Sequence, residues 1–286
     1  LELARHHWQQ QLADWIVEGV DGFRCLALTR LAPWWWRELI SATRQQNPAA
    51  IFIAWTPGTP ADQLSSLCDC GFDYTVSSDA WWDYRANWLL EEHQRLLSVA
   101  PILAAPEDPA GQRLIQRNHA DDSATAERAY RRALHAAAAT ADGLILNAGF
   151  EFGSSTALAA LVRDGSWLQA RAIDLTADIA TTNQMLATRK ATATTPLQML
   201  SAPHADLMLF TRKIGEQLVL TAINADLYHP HSLSPALLGD APSGWALPTD
   251  ATMMLQAAEV RTLALQALRP IAITPSGGKA AVTRAT

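Results

Sequence analysis

Cysteine is scarce in this chain of 286 residues: there are three, Cys25, Cys68 and Cys70. Three thiols make no disulfide framework, and Cys68 and Cys70 are too close for a relaxed bridge or a usual zinc pair. The pattern reads as reduced cysteines in a cytoplasmic protein. No apolar run reaches the roughly 18–20 residues needed to span a bilayer, so no membrane span is expected. Charged residues make up 17% and the net charge is −6, which argues against a general affinity for nucleic acid or an anionic membrane. No glycine-rich phosphate loop follows any apolar run, and no internal repeat is visible. An initiator Met and a signal peptide are also missing. Residues 1–20 begin at once with an amphipathic helical pattern, in which Leu3, His7, Trp8, Leu12, Trp15 and Ile16 recur. A start inside a helix reads as part of something longer.

What the chain does have is tryptophan, eleven of them, with clusters at Trp34–Trp36 and Trp81–Trp82. It also has alternation of element type. Short apolar runs lie at 22–28, 50–55, 72–76, 101–105 and 143–148. None shows clean polar alternation, which suits strands buried on both faces. Between them helices are expected at 33–45, 61–68, 86–98 and 123–140. Pro33 opens the first, as proline does at a first helical position. Strand followed by helix, repeated, gives right-handed crossovers and a parallel sheet. On pattern alone, part of an eight-fold barrel and an open doubly wound sheet fit equally.

The texture changes after about residue 165. A helix is expected at 174–188. Strands are then expected at 207–211, 217–223, 251–255 and 260–265, with Pro/Gly/Asn-rich loops between them. The tail after Ile273 reads as disordered.

Five stretches carry a family resemblance. "GVDGFRCLALTRLAPWWWRELI", from Gly19, is similar to the fourth-strand motif of glycoside hydrolase family 13, the α-amylase family. "AAIFIAWTPGTP" is similar to its fifth-strand motif, and "PEDPAGQRL", ending near Arg113, to its seventh. "GLILNAGFEFG" is similar to its eighth strand and Gly-Phe-Glu exit. "CGFDYTVSSDAWWDYRANWL" resembles the sixth-strand region of the maltosyl-transferring branch. The resemblance implies the second half of the catalytic barrel and then a C-terminal β-sandwich. The fold class expected is therefore α/β, strands four to eight of a (β/α)8 barrel followed by a small antiparallel β-sandwich. Its parts would be residues 1–165, 166–275 and a tail at 276–286. The family's first three strands have no counterpart, so the missing N-terminal half is expected in the same or another chain.

The family's chemistry needs an attacking aspartate, a proton-transferring glutamate and a second aspartate that braces the ring. Retaining cleavage sets the first two about 5 Å apart. The resemblance puts the nucleophile position, two residues after Arg24, on Leu26. It puts the acid/base position on Trp55 and the seventh-strand His-Asp pair on Pro109 and Ala110. Leucine cannot attack, and indole has no labile proton near neutral pH. Arg24, Arg113 and Glu151 of the framework remain.

Catalysis by relocated acids would draw on Asp79, Asp83, Glu107, Asp108 or Glu151, all at strand C-terminal ends; helix capping and loop solvation are the alternative role. Arg24, Trp55, Trp81, Trp82 and Arg113 are the candidate substrate-binding residues. The tryptophans either offer flat faces to sugar or fill the old cleft as core. In the run 34–36 at least one ring must face outward. His119 reads as a loop residue, and His229 and His231 lack a third ligand. No metal and no cofactor is expected. Two functions stay open: a catalytically inactive α-amylase homologue acting as scaffold or α-glucan-binding protein, with an α-glucan or maltodextrin as partner, or an active α-glucan hydrolase or maltosyltransferase using relocated carboxylates or the absent half.

Overall fold

The computed structural model describes residues 2–117, 122–156, 173–189, 195–202, 204–234, 245–246 and 252–267. The expected disordered tail, the 165/166 boundary and His119 lie outside them. Five short strands, β1 (Gly22–Cys25), β2 (Ile51–Ala54), β3 (Tyr74–Ser77), β4 (Ile102–Ala104) and β5 (Gly143–Leu144), form one parallel sheet. Their spatial order is their chain order. A doubly wound sheet reverses its order at a switch point. Sequential order without reversal is how a barrel grows, so this sheet is a barrel portion. Register is set from the first residue, with Gly22 opposite Ile51 and Cys25 opposite Ala54. A Cβ on Gly22 would stand 2.5 Å from the Ile51 carbonyl oxygen, so the first pair forms only with glycine there.

Helices α1 (Glu2–Val17), α2 (Pro33–Gln46), α3 (Ala61–Leu64), α4 (Trp88–Leu97), α5 (Leu114–Arg117) and α6 (Ser123–Thr140) cover the sheet and its loops. Pro33 does open α2. On α2 Trp35 and Trp36 are buried while Trp34 faces out, and the Trp36 indole donates to the Leu28 carbonyl at 3.0 Å. On α1 only Leu12 is buried, whereas Leu3 and Trp8 are exposed. Three expected elements are shorter than the sequence suggested. The run 22–28 stops at Cys25, because Ala27 turns left-handed (φ 52) and a 3-10 turn begins at Leu28. The helix 61–68 is one turn of α-helix followed by a 3-10 turn at Ser65–Leu67. The run 143–148 pairs over two residues only.

Helix α6 is the hinge of the packing. Asp122 caps its start by accepting from the Thr125 N–H at 2.7 Å. Its length is alanine-rich, and Ala126, Ala129, Ala133, Ala136, Ala137, Ala138 and Ala139 are all buried. Small side chains let neighbours approach on several sides. Ala137 packs with Ile102, Ala104 and Leu96, while Ala136 and Ala139 pack with Met208, Phe210 and Ile223. Tyr130 and Leu134 meet Phe150 and Leu175, the last leading into α7 (Thr176–Thr188).

The β-rich remainder is antiparallel. β6 (Gln198–Met199), β7 (Leu207–Ile214), β8 (Gln217–Asn224) and β12 (Val260–Ala264) form a sheet in the order β12-β8-β7-β6. β9 (His231–Leu233) pairs with β11 (Met253–Leu255), and β10 (Trp245–Ala246) with β13 (Gln266–Ala267). β7 runs three residues beyond the expected end at 211 because it shares a hairpin with β8, which turns through Gly215 at φ 58. Met208 and Phe210 face α6, whereas Leu207 and Leu209 face Leu233 and Leu255. Both faces are thus covered, which is why the sequence of β7 does not alternate.

Arginines fasten the two parts. Arg132 on α6 donates to the Ala225 carbonyl at 2.6 Å, and Arg128 to Leu227 at 3.2 Å. Arg212 on β7 donates to Ala141 at the end of α6 at 3.1 Å and pairs with Asp142. Asp142 in turn accepts from the Ile102 N–H at 3.2 Å, so the same carboxylate steadies β4. Replacing Arg212 by Met should lower unfolding stability by about 3–5 kcal/mol in urea titrations, because a nearly buried carboxylate loses its partner. The exposed neighbour change Lys213→Met should cost no more than about 0.5 kcal/mol.

Candidate functional site

The C-terminal ends of β2, β3 and β4 open into one cleft of about 520 Å³. From the end of β2 come Trp55, Pro57 and Gly58; after β3 come Ser78 and Trp81. Trp88 opens α4, and the β4 loop contributes Asp108 and Ala110. The strands end where they do for local reasons. Thr56 is buried and its hydroxyl both donates to the Val76 carbonyl and accepts from the Val76 N–H, which locks the β2 exit to β3. Ser78 is held by Glu92 of α4, whose carboxylate accepts from the Ser78 N–H at 2.9 Å and hydroxyl at 2.6 Å. Asp108 accepts from the Ala110 and Gly111 N–H groups at 2.9 and 3.0 Å, a tight Asx turn. Gly111 fits this turn because a Cβ there would lie 2.3 Å from the Asp108 carboxylate.

Of the three positions where the resemblance calls for catalytic acids, Trp55 and Ala110 share the cleft and Leu26 does not line it. Leu26 follows β1 and is 54% exposed. Trp55 is half-buried and presents a ring to the cleft, with the Arg24 guanidinium 5.3 Å from its centroid. Ala110 is on the cleft wall. The space is open rather than filled by Leu26 and Trp55. Trp81 is 44% exposed in it, whereas Trp82 is buried against Tyr84 and the α6 interface.

The acids are placed differently from one another. Glu107 is fully buried in an ion pair with Arg113 at 2.8 Å, and also accepts from the Leu114 N–H at 3.1 Å. Arg113 is likewise buried and donates to Ala148 at 3.1 Å, tying the β4 loop to the β5 exit rather than facing the cleft. Asp83 accepts from the Arg85 and Ala86 N–H groups at 2.9 Å each. Partial burial opposes its ionisation, but these bonds win and hold its carboxyl below the usual range. Glu151 lies in the 3-10 turn between Gly149 and Gly153, both left-handed. Asp79 sits beneath Ser78, nearly buried, accepting from the Ser77 hydroxyl and from the Thr140 hydroxyl at 2.8 Å. Burial pushes its carboxyl up to about 7, the two hydroxyls offset part of this, and the Glu92 charge adds to it. His93 completes the layer: its Nε2 lies 2.8 Å from the Thr140 carbonyl, and burial drives it down to about 3.

Among the described residues, Asp108 is the carboxylate that lines the cleft, and no cluster of His, Cys, Asp or Glu could hold a metal ion. His229 and His231 instead surround Asp226, at 3.0 and 3.6 Å. Sequence reasoning did not single out Ser78, Trp88 or Glu92. Ser78 stands just past the end of β3, and Trp88 is the first residue of α4. A Ser three residues before an aromatic pair carries no signal of its own.

An α-1,4-glucan:maltose-1-phosphate maltosyltransferase of Burkholderia pseudomallei is 32% identical to this chain over 281 residues, 93% of this chain. The chain is related to glycoside hydrolase family 13. It spans 24% of that relative's length. No family model matches. Among solved structures, the cyclic α-maltosyl-(1→6)-maltose hydrolase of Arthrobacter globiformis superposes with a TM-score of 0.64 at 18% identity, over 92% of this chain and 60% of that one. The α-amylase of Geobacillus thermoleovorans gives 0.64 at 10% identity, over 92% and 64%. These similarities show the amylase-like fold, a barrel portion with a C-terminal β domain. No described helix is long and apolar enough to cross a membrane.

Asp79 generates a test. Its native carboxyl keeps a proton up to about pH 7, whereas an unfolded chain releases it near 3.8. The native state therefore binds more protons across that window, and this contribution to stability is lost as pH rises from about 4 to 7. Asp79→Asn should flatten the decline of Tm between pH 4 and 7. An unchanged slope would show that Asp79 titrates normally.

Proposed function

We propose that this chain is a non-catalytic α-amylase-type protein, a scaffold whose cleft holds an α-glucan or maltodextrin without cutting it. One observation carries the reading. Where the family resemblance calls for carboxylates stand Leu26, Trp55 and Ala110, and the open cleft presents Trp55, Trp81 and Trp88 with the Asp108 carboxylate alone among the described acids. Double displacement needs two carboxylates facing across the bond. Indole faces cover the apolar faces of sugar rings, and a cleft of this volume suits a small oligosaccharide. Asp108 would then accept a hydrogen bond from a sugar hydroxyl, and Arg24 would stiffen the Trp55 platform.

The domain plan that goes with this is a barrel portion at 1–165, a β-sandwich at 166–275 and a tail at 276–286. Further strands, from the same or another chain, would complete the barrel beyond β1 and β5. Three free cysteines, two of them buried, suit a reducing cytoplasm.

Calorimetry with maltose and longer maltodextrins should show saturable binding. Trp55→Ala and Trp81→Ala should each weaken it about tenfold, the scale of losing one stacked ring. No heat at any length would remove the glucan reading. Release of reducing sugar, abolished by Asp108→Asn, would establish the rival reading of an active α-glucan hydrolase or maltosyltransferase.

A further inference from the structure

A second cavity of about 360 Å³ lies behind the Trp81 ring, between the β3 exit, α5 and α6. Its walls are aromatic: Trp81, Trp82 and Tyr84. Its charged side chains are two guanidinium groups, Arg117 at the end of α5 and Arg132 on α6, and the Asp83 carboxylate. Arg132 is 94% buried, from a relative exposure of 6%. One of its nitrogens donates to Ala225 and its plane lies 4.4 Å from the Tyr84 centroid, but its Nε has no hydrogen-bond partner among the described residues. Arg117 donates to the Ala80 carbonyl. Among the described residues neither guanidinium forms an ion pair. Asp83 also lines the cavity, but its Oδ1 is taken up by two backbone N–H groups.

A buried cation is normally paired. Here two guanidinium groups line the same empty volume beside three flat rings. A guanidinium fork matches the planar or tetrahedral oxyanion of a carboxylate or phosphate monoester, and the rings match a flat apolar body attached to it. We propose that this cavity is a binding site for a small organic oxyanion, with Arg117 and Arg132 holding the charged head and Trp81, Trp82 and Tyr84 enclosing the body. It is separate from the glucan cleft, although Trp81 forms a wall of both, and it stands whether or not that cleft binds sugar.

Trp81 and Trp82 provide the readout. Phenyl phosphate, benzoate and the uncharged benzyl alcohol would be titrated into the full chain at low salt, following tryptophan fluorescence and heat. At least one anion should saturate while benzyl alcohol does not, and the tighter anion identifies the head group as phosphate or carboxylate. Arg117→Gln should weaken binding by roughly tenfold or more, as loss of a charged hydrogen bond does. Arg132→Gln also removes the Ala225 contact, so the companion variant is Ala129→Leu, which fills the cavity from α6 and leaves both arginines in place. It should abolish binding without changing the circular dichroism spectrum. Equal binding of benzyl alcohol, no saturable signal from either anion, or unchanged affinity in Arg117→Gln and Ala129→Leu would overturn the site.

Discussion

Close packing around the alanine-rich helix α6 is the constraint on which the rest of this structure depends. A helix with alanine on several faces can be approached by backbone and bulky side chains alike. The barrel sheet, α7 and the β7–β8 hairpin all use that proximity. The arrangement leaves the helix end in the interior, where carbonyls would go unpaired. Arg189 donates to Ala138 at 2.6 Å, and Arg212 to Ala141. The end of α7 and strand β7 thus supply what the barrel helix lacks, and β7 and β8 share a core with α6. Cationic groups at a helix C-terminus also suit its dipole.

That rigidity is transmitted to the cleft through a buried polar layer. Thr140, at the end of α6, bonds Asp79 and meets His93, and Asp79 lies directly under Ser78 on the cleft wall. The burial that suppresses the charge of Asp79 and His93 also makes these groups poor candidates for surface chemistry. Glu107 and Arg113 form a comparable brace on the other side, at the β4 and β5 exits. Several acids at the barrel mouth are therefore engaged in holding loops. Trp55, Trp81 and Trp88 supply the aromatic part of the cleft wall.

Much of the architecture was legible in the chain. The five parallel strands, the helices between them and an antiparallel remainder follow from short apolar runs and helical spacing, because both periods are set by backbone geometry. Boundaries were less legible. Ala27 adopts a left-handed conformation that alanine rarely takes, so nothing local announced that β1 would stop at Cys25. The ladder of β5 covers Gly143 and Leu144, opposite Leu103 and Ala104 of β4, a strand of three residues itself. The cleft was legible in part. Trp55, Trp81 and Trp82 are expected at its mouth; Trp55 and Trp81 line it, but Trp82, next in sequence to Trp81, turns into the core.

The amino-acid sequence by itself determined the element types and their order, the kinship with glycoside hydrolase family 13, and which residue types stand where that family carries acids. These depend on neighbours in the chain and on composition. Only the tertiary structure decided between barrel portion and open sheet, through a strand order without reversal. It alone separated the buried braces Asp79 and Glu107 from Asp108, which lines the cleft, and brought Arg117 and Arg132 to a common cavity. Burial and long-range convergence are properties of packing, and packing joins residues that no local pattern connects.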